Sequence, residues 1–419
     1  MINSFLRVLI VRPYAGSSSS RLHVDRAFLL GSELHQFPNV NVTMLVSDIS
    51  HPSGQKMTRK EQSDFRKVVP FIRFLPSISY SRSLGFRRLL SEVIYSLFLI
   101  PALIRSRPSC ILVVEPLFFT GWVCLAYGAL VKIKVFSDLW DLWPEAFPVN
   151  KVSALKFAFP WDIIFSPLLL SRYFRFLLYQ RIYIVSNSYK QILPPSSISR
   201  AKLFYHCIGN TAFEIVSNDS SRSTILAPAE SGSENLLSPF KLCYVGTLGA
   251  GCAMEEVIEA IKELNHFYPK QFELHVAGSL ESFYRLFKEE HLPPNIKHSG
   301  FLSSFQLEDF YSRMHAILMP YKRFSPIALP VKFFDGLRYS KPFVSSLTLE
   351  VSSIIDAERI GINYHAGDVQ SLVEAVVRVR DEYPSFLSSI NNFSRSTDIF
   401  DAHDIYSSFA SDVISSCAS

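Results

Sequence analysis

The sequence predicts an α/β chain made of two doubly wound domains. Three observations predict it. Short apolar runs alternate with longer amphipathic stretches along most of the chain, as in parallel sheets with helices on both faces. The alternation runs twice, in blocks of about 200 residues, and a chain of 419 residues is too long for one compact core. Between the blocks lies "SNDSSRSTILAPAESGSENLLSPF" (217–240), rich in Ser, Asn, Gly and Pro and without periodicity, as a linker should be.

In the first block the strands read Leu6–Val11, Val40–Val46, Ile111–Val114, Ile133–Phe136 and Arg181–Val185, with helical patterns at Leu22–Gln36 and Arg87–Arg105. In the second they read Lys241–Val245, Glu273–Ala277, Ile296–Ser299, Ala316–Met319 and Pro342–Ser345. Its helices include Ala253–Leu264, Gln306–Met314 and Val369–Asp381. The opening "MINSFLRVLIVRPYAG" reads as a first buried strand rather than a signal peptide. Its apolar stretch is short, Arg7 interrupts it, and no small-residue cleavage site follows.

Composition excludes several classes. An apolar content of 48% with 19% charged residues excludes wholesale disorder. A net charge of +5 favours phosphates or anionic lipid mildly and lacks the basic tail of a nucleic-acid binder, so no nucleic-acid partner is expected. The six cysteines are scattered without a CxxC pair, which favours reduced thiols in a cytosolic protein over a disulfide frame or zinc site. The apolar run Glu92–Ile104 is too short to span a bilayer. The longer run Cys110–Phe136 is broken by Glu115-Pro116 and Gly121 into strand, turn and helix.

Three stretches carry candidate chemistry. "AGSSSS" lies between strand one and helix one, where a doubly wound domain places a ligand-facing loop. For its Gly16 and Ser17, an acceptor or phosphate contact and a plain solvent loop both stay open; GxGxxG is absent, so a dinucleotide fold gains little. "YVGTLGAGCAMEEVIEAIKEL" is a strand, a glycine turn and a helix. The amides around Gly246, Thr247 and Gly249 suit a diphosphate, though such turns are often only tight turns. "LPVKFFDGLRYSKPFV" starts a helix after Pro330 with Lys332 and Asp335 near its beginning. A carboxylate there is also good helix-dipole chemistry with no function attached.

Together these motifs resemble family-four, GT-B-fold glycosyltransferases. "LPVKFFDGLRYSKPFV" aligns without a gap to that family's donor-site helix, Pro-x-Lys-Leu-Phe-Glu-Tyr-x-Ala-x-Gly-Lys-Pro-Val. "YVGTLGAGCAMEEVIEAI" and "IKHSGFLSSFQLEDFYSRMHAILMPY" are similar to later segments of its second domain. "FSDLWDLWPEAF" resembles the Asp-Leu-Trp-Pro-Glu signature of members that build bacterial surface polysaccharides, and "IYIVSNSYKQIL" a strand–Ser–helix element. The resemblance implies a first, acceptor-side Rossmann-like domain over 1–216, a linker over 217–240 and a nucleotide-sugar domain over 241–419, the two doubly wound domains facing a cleft. The last helix, about 400–419, is a candidate to pack back on the first domain.

The resemblance also implies roles. Asp335 would hold the ribose hydroxyls, and amides at Gly246, Thr247 and Gly249 the diphosphate. Gly300 and Phe301 would lie by the nucleobase. Lys332 would add positive charge at the donor, and Asp141 would face the acceptor; these two are the catalytic candidates. As an alternative, Asp141 caps the next helix. Departures from the family are Ile327 where an acidic residue contacts the donor sugar, Asp335 in place of Glu, and Val114 where some relatives have His. The basic pair after the glycine turn is absent, with Lys322 or Arg323 as candidate substitutes.

The expected activity is therefore retaining transfer of a sugar from a nucleoside-diphosphate-sugar to a surface glycan or its lipid-linked precursor. Without an Asp-x-Asp pair, no metal and no cofactor are expected, and amides and lysines would stabilise the leaving diphosphate. Rival readings are a catalytically silent nucleotide-sugar-binding subunit and a sugar-nucleotide epimerase. "FRRLLSEVIYSLFLIPALIRSR" and "PWDIIFSPLLLSRYFRFLLYQR" mix arginines with aromatic and aliphatic residues, as in interfacial helices. The expected location is the cytoplasm, peripheral on the inner face of the cell membrane. The alternative is that both helices pack on the first sheet with their arginines in water.

Overall fold

The computed structural model describes residues 5–18, 21–22, 25–51, 53–81, 85–142, 161–207, 239–246, 248–249, 251–279, 283, 293–302, 304–323, 325–396 and 399–418. The first half runs β1 (Leu6–Arg12), β2 (Ala15–Ser18), β3 (Arg21–Leu22), α1 (Arg26–Gln36), β4 (Val40–Ser47), β5 (Ser50–His51), α2 (Arg59–Val68), β6 (Ile72–Leu75) and α3 (Phe86–Ser106). It continues with β7 (Cys110–Glu115), α4 (Thr120–Val131), β8 (Lys134–Leu139), α5 (Trp161–Leu178), β9 (Arg181–Ile184) and β10 (Ala201–Leu203). The second half runs β11 (Phe240–Val245), α6 (Met254–Phe267), β12 (Phe272–Ala277), β13 (Ile296–His298), α7 (Ser304–Ser312), β14 (Ala316–Met319), α8 (Val331–Arg338) and β15 (Phe343–Ser345). After these come α9 (Glu350–Glu358), β16 (Gly361–Asn363), α10 (Val369–Asp381), α11 (Tyr383–Ser396) and α12 (Ala402–Ala418).

The first sheet has seven strands in the order β10-β9-β8-β7-β1-β4-β6, and the second has six in the order β13-β12-β11-β14-β15-β16. Every neighbouring pair in both is parallel. The strand order reverses between β1 and β7 in one sheet and between β11 and β14 in the other. Beyond the carboxyl ends at such switch points doubly wound sheets bind their ligands. This is the two-domain GT-B architecture that the sequence predicts.

Central strands are apolar on both faces because helices cover both. β1 buries its last five residues. Val8 and Ile10 pack with α1 and α12, while Leu9 and Val11 pack with Tyr95, Leu99 and Leu103 of α3. Helix starts follow local chemistry. Asp25 caps α1 by accepting the Ala27 amide at 3.1 Å, and Thr58 with Glu61 closes a reciprocal cap on α2. In the second domain α6 and α10 cover one face, and α7, α8, α9 and α11 the other.

Some expectations needed correction. β8 extends past the apolar run to Asp138 and Leu139. Asp138 is wholly buried, and the Arg26 guanidinium donates to both of its carboxylate oxygens at 3.1 Å. A paired charge does not end a strand. "IYIVSNSYKQIL" is a strand followed by 3-10 turns, Asn187–Ile192, because the chain turns out at Leu193 before Pro194-Pro195. The short strands β6 and β16 had too few residues to show a period. The linker, as far as residue 238, and Trp143-Pro144-Glu145 of the signature lie outside the described residues.

The expectation of reduced thiols is overturned. Cys110 and Cys417 are disulfide-bonded, with their Cα atoms 5.9 Å apart, while Cys124, Cys207, Cys243 and Cys252 are outside any disulfide. The partners are 307 residues apart, so no spacing rule in the sequence could pair them. They meet because α12 returns to the first domain. There Phe409, Ala410 and Val413 enter the core beside α1, and Lys202 Nζ lies 2.5 Å from Asp412. A second crossing tie is Glu350 at the start of α9. Its carboxylate accepts the Asn187 amide at 2.7 Å, the Tyr205 hydroxyl at 2.7 Å and the Ser186 hydroxyl, all from the first domain.

The Glu92–Ile104 run also proves to be part of a longer element. α3 has 21 residues and is the one described helix long and apolar enough to cross a membrane. One of its faces is committed to the first sheet through Tyr95, Leu99 and Leu103.

Candidate active site

Three glycines close the carboxyl ends of adjacent strands in the second sheet: Gly246 after β11, Gly278 after β12 and Gly300 beyond β13. Gly246 donates to Ala277 O and Gly278 to Gly300 O, each at 2.9 Å, so the three turns are one hydrogen-bonded edge. A Cβ on Gly278 would stand 2.3 Å from the Gly246 carbonyl oxygen, so no larger residue fits. Sequence reasoning missed Gly278, although "HVAGSL" carries the same strand-then-glycine signal as "YVG". Nothing lies within 4 Å of a Cβ on Gly249 or Gly300, leaving room for a ligand against the backbone. Thr247 lies outside the described residues. Phe301, just past Gly300, is 75% exposed, an unusual place for an aromatic ring.

Helix α8 aims at this edge. Pro330 precedes its first residue, a position that costs no hydrogen bond. Phe333, Phe334 and Leu337 are buried, which turns Lys332 toward the glycine edge. Lys332 Nζ lies 3.1 Å from where a Cβ on Gly246 would be, 4.7 Å over the Tyr244 ring and 3.5 Å from the Tyr321 hydroxyl. Burial lowers the lysine pKa, partly offset by Cys252 and Asp335. A desolvated ammonium beside an open backbone turn is built to meet an anion.

Three residues on, the Asp335 carboxylate accepts the Tyr311 hydroxyl at 3.1 Å. The carboxylate is not on the open surface: Asp335 is half-buried. Burial raises its pKa to about 6, against the opposing effects of Tyr311, Lys332 and Arg338. Tyr311 is in turn stacked on Tyr339 at 4.6 Å.

Tyr321 completes the group, and sequence reasoning did not find it either. Its amide donates to Ser346 Oγ at 2.7 Å, and Ser346 Oγ donates back to its carbonyl at 2.7 Å, which fixes the chain just past β14. The next residue, Lys322, donates its amide to Gly251 O at 3.0 Å, so its backbone runs beside the glycine turn. The phenol pKa of Tyr321 is raised by burial, then by Cys252, then by Asp141. That last influence crosses domains. Asp141 is exposed two residues past β8, with one carboxylate oxygen accepting the Leu142 amide at 2.8 Å.

Gly16 and Ser17 are not in a loop. They belong to β2, with Gly16 level with His51 of β5 and Ser17 level with Leu22 of β3. Among the described residues no three His, Cys, Asp or Glu side chains are grouped to hold a metal ion.

Residues 239–382, which hold the glycine edge, Tyr321 and α8, match the family model of glycosyl transferases group 1. The second domain is therefore that of a glycosyltransferase. No curated protein matches its sequence. Among solved structures the transferase is similar to sucrose-phosphate synthase from Thermosynechococcus elongatus, with TM-score 0.66 and 12% identity over 99% of each chain. It is similar to Anabaena HepE in complex with UDP, with TM-score 0.64 and 9% identity over 98% of this chain and 100% of that one. A UDP-GlcNAc 2-epimerase from Neisseria meningitidis, bound to UDP-GlcNAc, follows with TM-score 0.57 and 14% identity over 98% and 100%. At such identities the likenesses establish the fold of the transferase, and its substrates must be argued from its own site.

Proposed function

We propose that this transferase is a retaining, family-four enzyme that moves a sugar from a nucleoside-diphosphate-sugar to a surface glycan or its lipid-linked precursor. The observation that carries the reading is the Lys332 ammonium held against the Gly246 turn, with Asp335 on the same helix. The open backbone at Gly249 and the lysine suit the donor diphosphate, whose charge grows as the glycosyl bond breaks. Asp335 would accept from the ribose hydroxyls, and Phe301 offers a face to the base. Lys322 takes the place of the family's missing basic residues. Asp141, reaching from the first domain, would meet the acceptor, and closure of the cleft would keep water from the donor. HepE, of the same fold, is solved with UDP and with UDP-glucose, which favours a uridine nucleotide as the first donor to try.

Incubation with a panel of nucleotide-sugars tests this. Release of nucleoside diphosphate on adding a glycan or polyprenyl-diphosphate-linked acceptor is expected. Isomerised donor without release would make the protein an epimerase, and tight binding without either a silent subunit, the reading that Ile327 favours. Turnover should persist in excess chelator; activity lost there and restored by manganese or magnesium would overturn the metal-free assignment of the diphosphate site.

The membrane location rests on α3, α4 and α5, which lie side by side on one face of the first sheet. Burial of that face does not use up their apolar surface. Phe86, Leu97 and Ile104 of α3, Leu130 of α4 and Leu170 and Phe174 of α5 are all exposed. Exposed Arg87, Arg105 and Lys132 stand at the ends of these helices. A broad apolar face rimmed by cations suits an anionic bilayer surface. The protein should float with anionic vesicles at low salt and far less with neutral vesicles or at high salt. Absence of flotation with anionic vesicles at any salt would return these helices to water.

A further inference from the structure

The far end of the same face holds a pocket that the sugar transfer does not use. It has a volume of about 150 Å³ and lies between α3's last turn, at Arg105 and Ser106, and the amino-terminal ends of β1 and β4. Strand alternation explains its lining. Arg7 is on the same face of β1 as Leu9 and Val11, which pack under α3. Asn41 is level with Arg7, Thr43 with Leu9, and Arg73 of β6 with Leu45, another residue of that core. So Arg7, Asn41, Thr43 and Arg73 all point to the helix side of the sheet, where apolar residues stand further along. Leu103 is the last residue of α3 in that core, which leaves a polar gap beneath the end of the helix.

No Asp or Glu lines the gap. Arg7, Arg73 and Arg105 make no ion pair and no cation–π contact among the described residues, whereas Arg12, Arg26 and Arg175 of the same domain are all paired with carboxylates. Arg105 also lines a second, wider hollow on the membrane-side surface with Pro101, Ile104 and Arg107, so the cationic gap and the apolar face are continuous through it.

The geometry points to a phospholipid headgroup site. The phosphate would sit among Arg7, Arg73 and Arg105, whose forked donors match it, with Asn41 and Thr43 beside it, and the lipid chains would leave over Pro101 and Ile104. The site rests on the membrane reading above, to which it adds a specific ligand chemistry: a phosphomonoester or phosphodiester carried by a lipid. It lies beyond the amino-terminal ends of the strands, the opposite end of the sheet from the cleft. Its occupant would hold the enzyme at the bilayer without competing with the sugar donor.

The test uses the full chain and Arg7→Gln, Arg73→Gln and, as control, Arg87→Gln at the other end of α3. Calorimetry measures binding of dissolved dihexanoyl phosphatidic acid and of inorganic phosphate. Flotation measures binding to phosphatidylcholine vesicles with and without phosphatidic acid. Circular dichroism verifies the fold of each variant. Arg7→Gln and Arg73→Gln should each weaken binding of the short-chain lipid and of the phosphatidate vesicles about fivefold. Arg87→Gln should leave the dissolved lipid's affinity unchanged, and inorganic phosphate should bind more weakly than the lipid. Unchanged binding of the dissolved lipid by Arg7→Gln and Arg73→Gln would overturn the site. Inorganic phosphate binding as tightly as the lipid would overturn its lipid nature. Wild-type vesicle binding by both variants would remove the pocket while leaving the membrane reading. An arginine-dependent affinity for dissolved lipid without any flotation would leave the pocket while removing the membrane reading.

Discussion

Lys332→Met is expected to slow sugar transfer by about 10²–10³-fold, the usual loss when a preorganised charge facing a developing oxyanion is removed. Methionine keeps the length and apolar stem of the side chain but removes the ammonium that lies against Gly246 and over Tyr244. Because negative charge on the leaving diphosphate is greater in the transition state than in the bound donor, kcat should fall more than KM rises. Stability should hold or improve. Burial already lowers this lysine's pKa, so its charge is carried at a cost to the fold. Steady-state kinetics with the donor found in the nucleotide-sugar panel, alongside thermal melts, measure both. A variant with wild-type kcat would show that the leaving group is stabilised elsewhere, with Lys322 the next residue to test.

Asp335→Ala is expected to weaken donor binding by about 2–4 kcal/mol, through loss of two charge-assisted hydrogen bonds to the ribose. The same residue predicts a pH dependence. With its pKa raised to about 6, Asp335 is a carboxylate above that pH and a neutral acid below it. Donor affinity should therefore decline as pH falls through about 6. Stability should move the other way. The folded protein holds this proton more tightly than the unfolded chain, whose aspartates titrate near pH 4. This group's contribution is thus fully present below about 4 and is lost as pH rises through about 6. Asp335→Asn should abolish both trends. Calorimetric titration with the donor's nucleoside diphosphate across this range reads the first, and melts read the second. A pH-independent affinity in the wild type would remove Asp335 from the ribose.

Much of the fold was legible because it is local. Val369–Asp381 reads as a helix from its apolar period, which the Asp368 cap completes in the structure, and the strand boundaries at Leu6 and Ala316 stand at the edges of apolar runs. Asp138 misled for a physical reason: a charge looks like the end of a buried strand unless its partner, Arg26, is known to stand opposite. Lys332 and Asp335 were legible as a pair on one helix, but nothing in their spacing distinguishes the glycine edge from Tyr311 as the direction each would take. Gly278 and Tyr321 were missed because their importance lies in what they touch. The importance of Gly278 comes from the Gly246 carbonyl pressed against it, and that of Tyr321 from Ser346, 25 residues away.

By itself the sequence determined the order and type of most elements, the division into two sheets, the glycine turn after β11 and the composition of α8, because periodicity, turn chemistry and capping act between neighbours in the chain. Only the tertiary structure decided what stands across from what. It brought the charge of Asp141 within electrostatic reach of Tyr321, returned α12 to join Cys417 to Cys110, and tied Glu350 to Tyr205. It also turned the surplus apolar surface of α3, α4 and α5 to one side and left Arg7, Arg73 and Arg105 around a gap without a carboxylate. Each of these depends on packing between segments distant in the chain, where charge pairing and burial are settled by the three-dimensional neighbour and no local pattern records which neighbour that is.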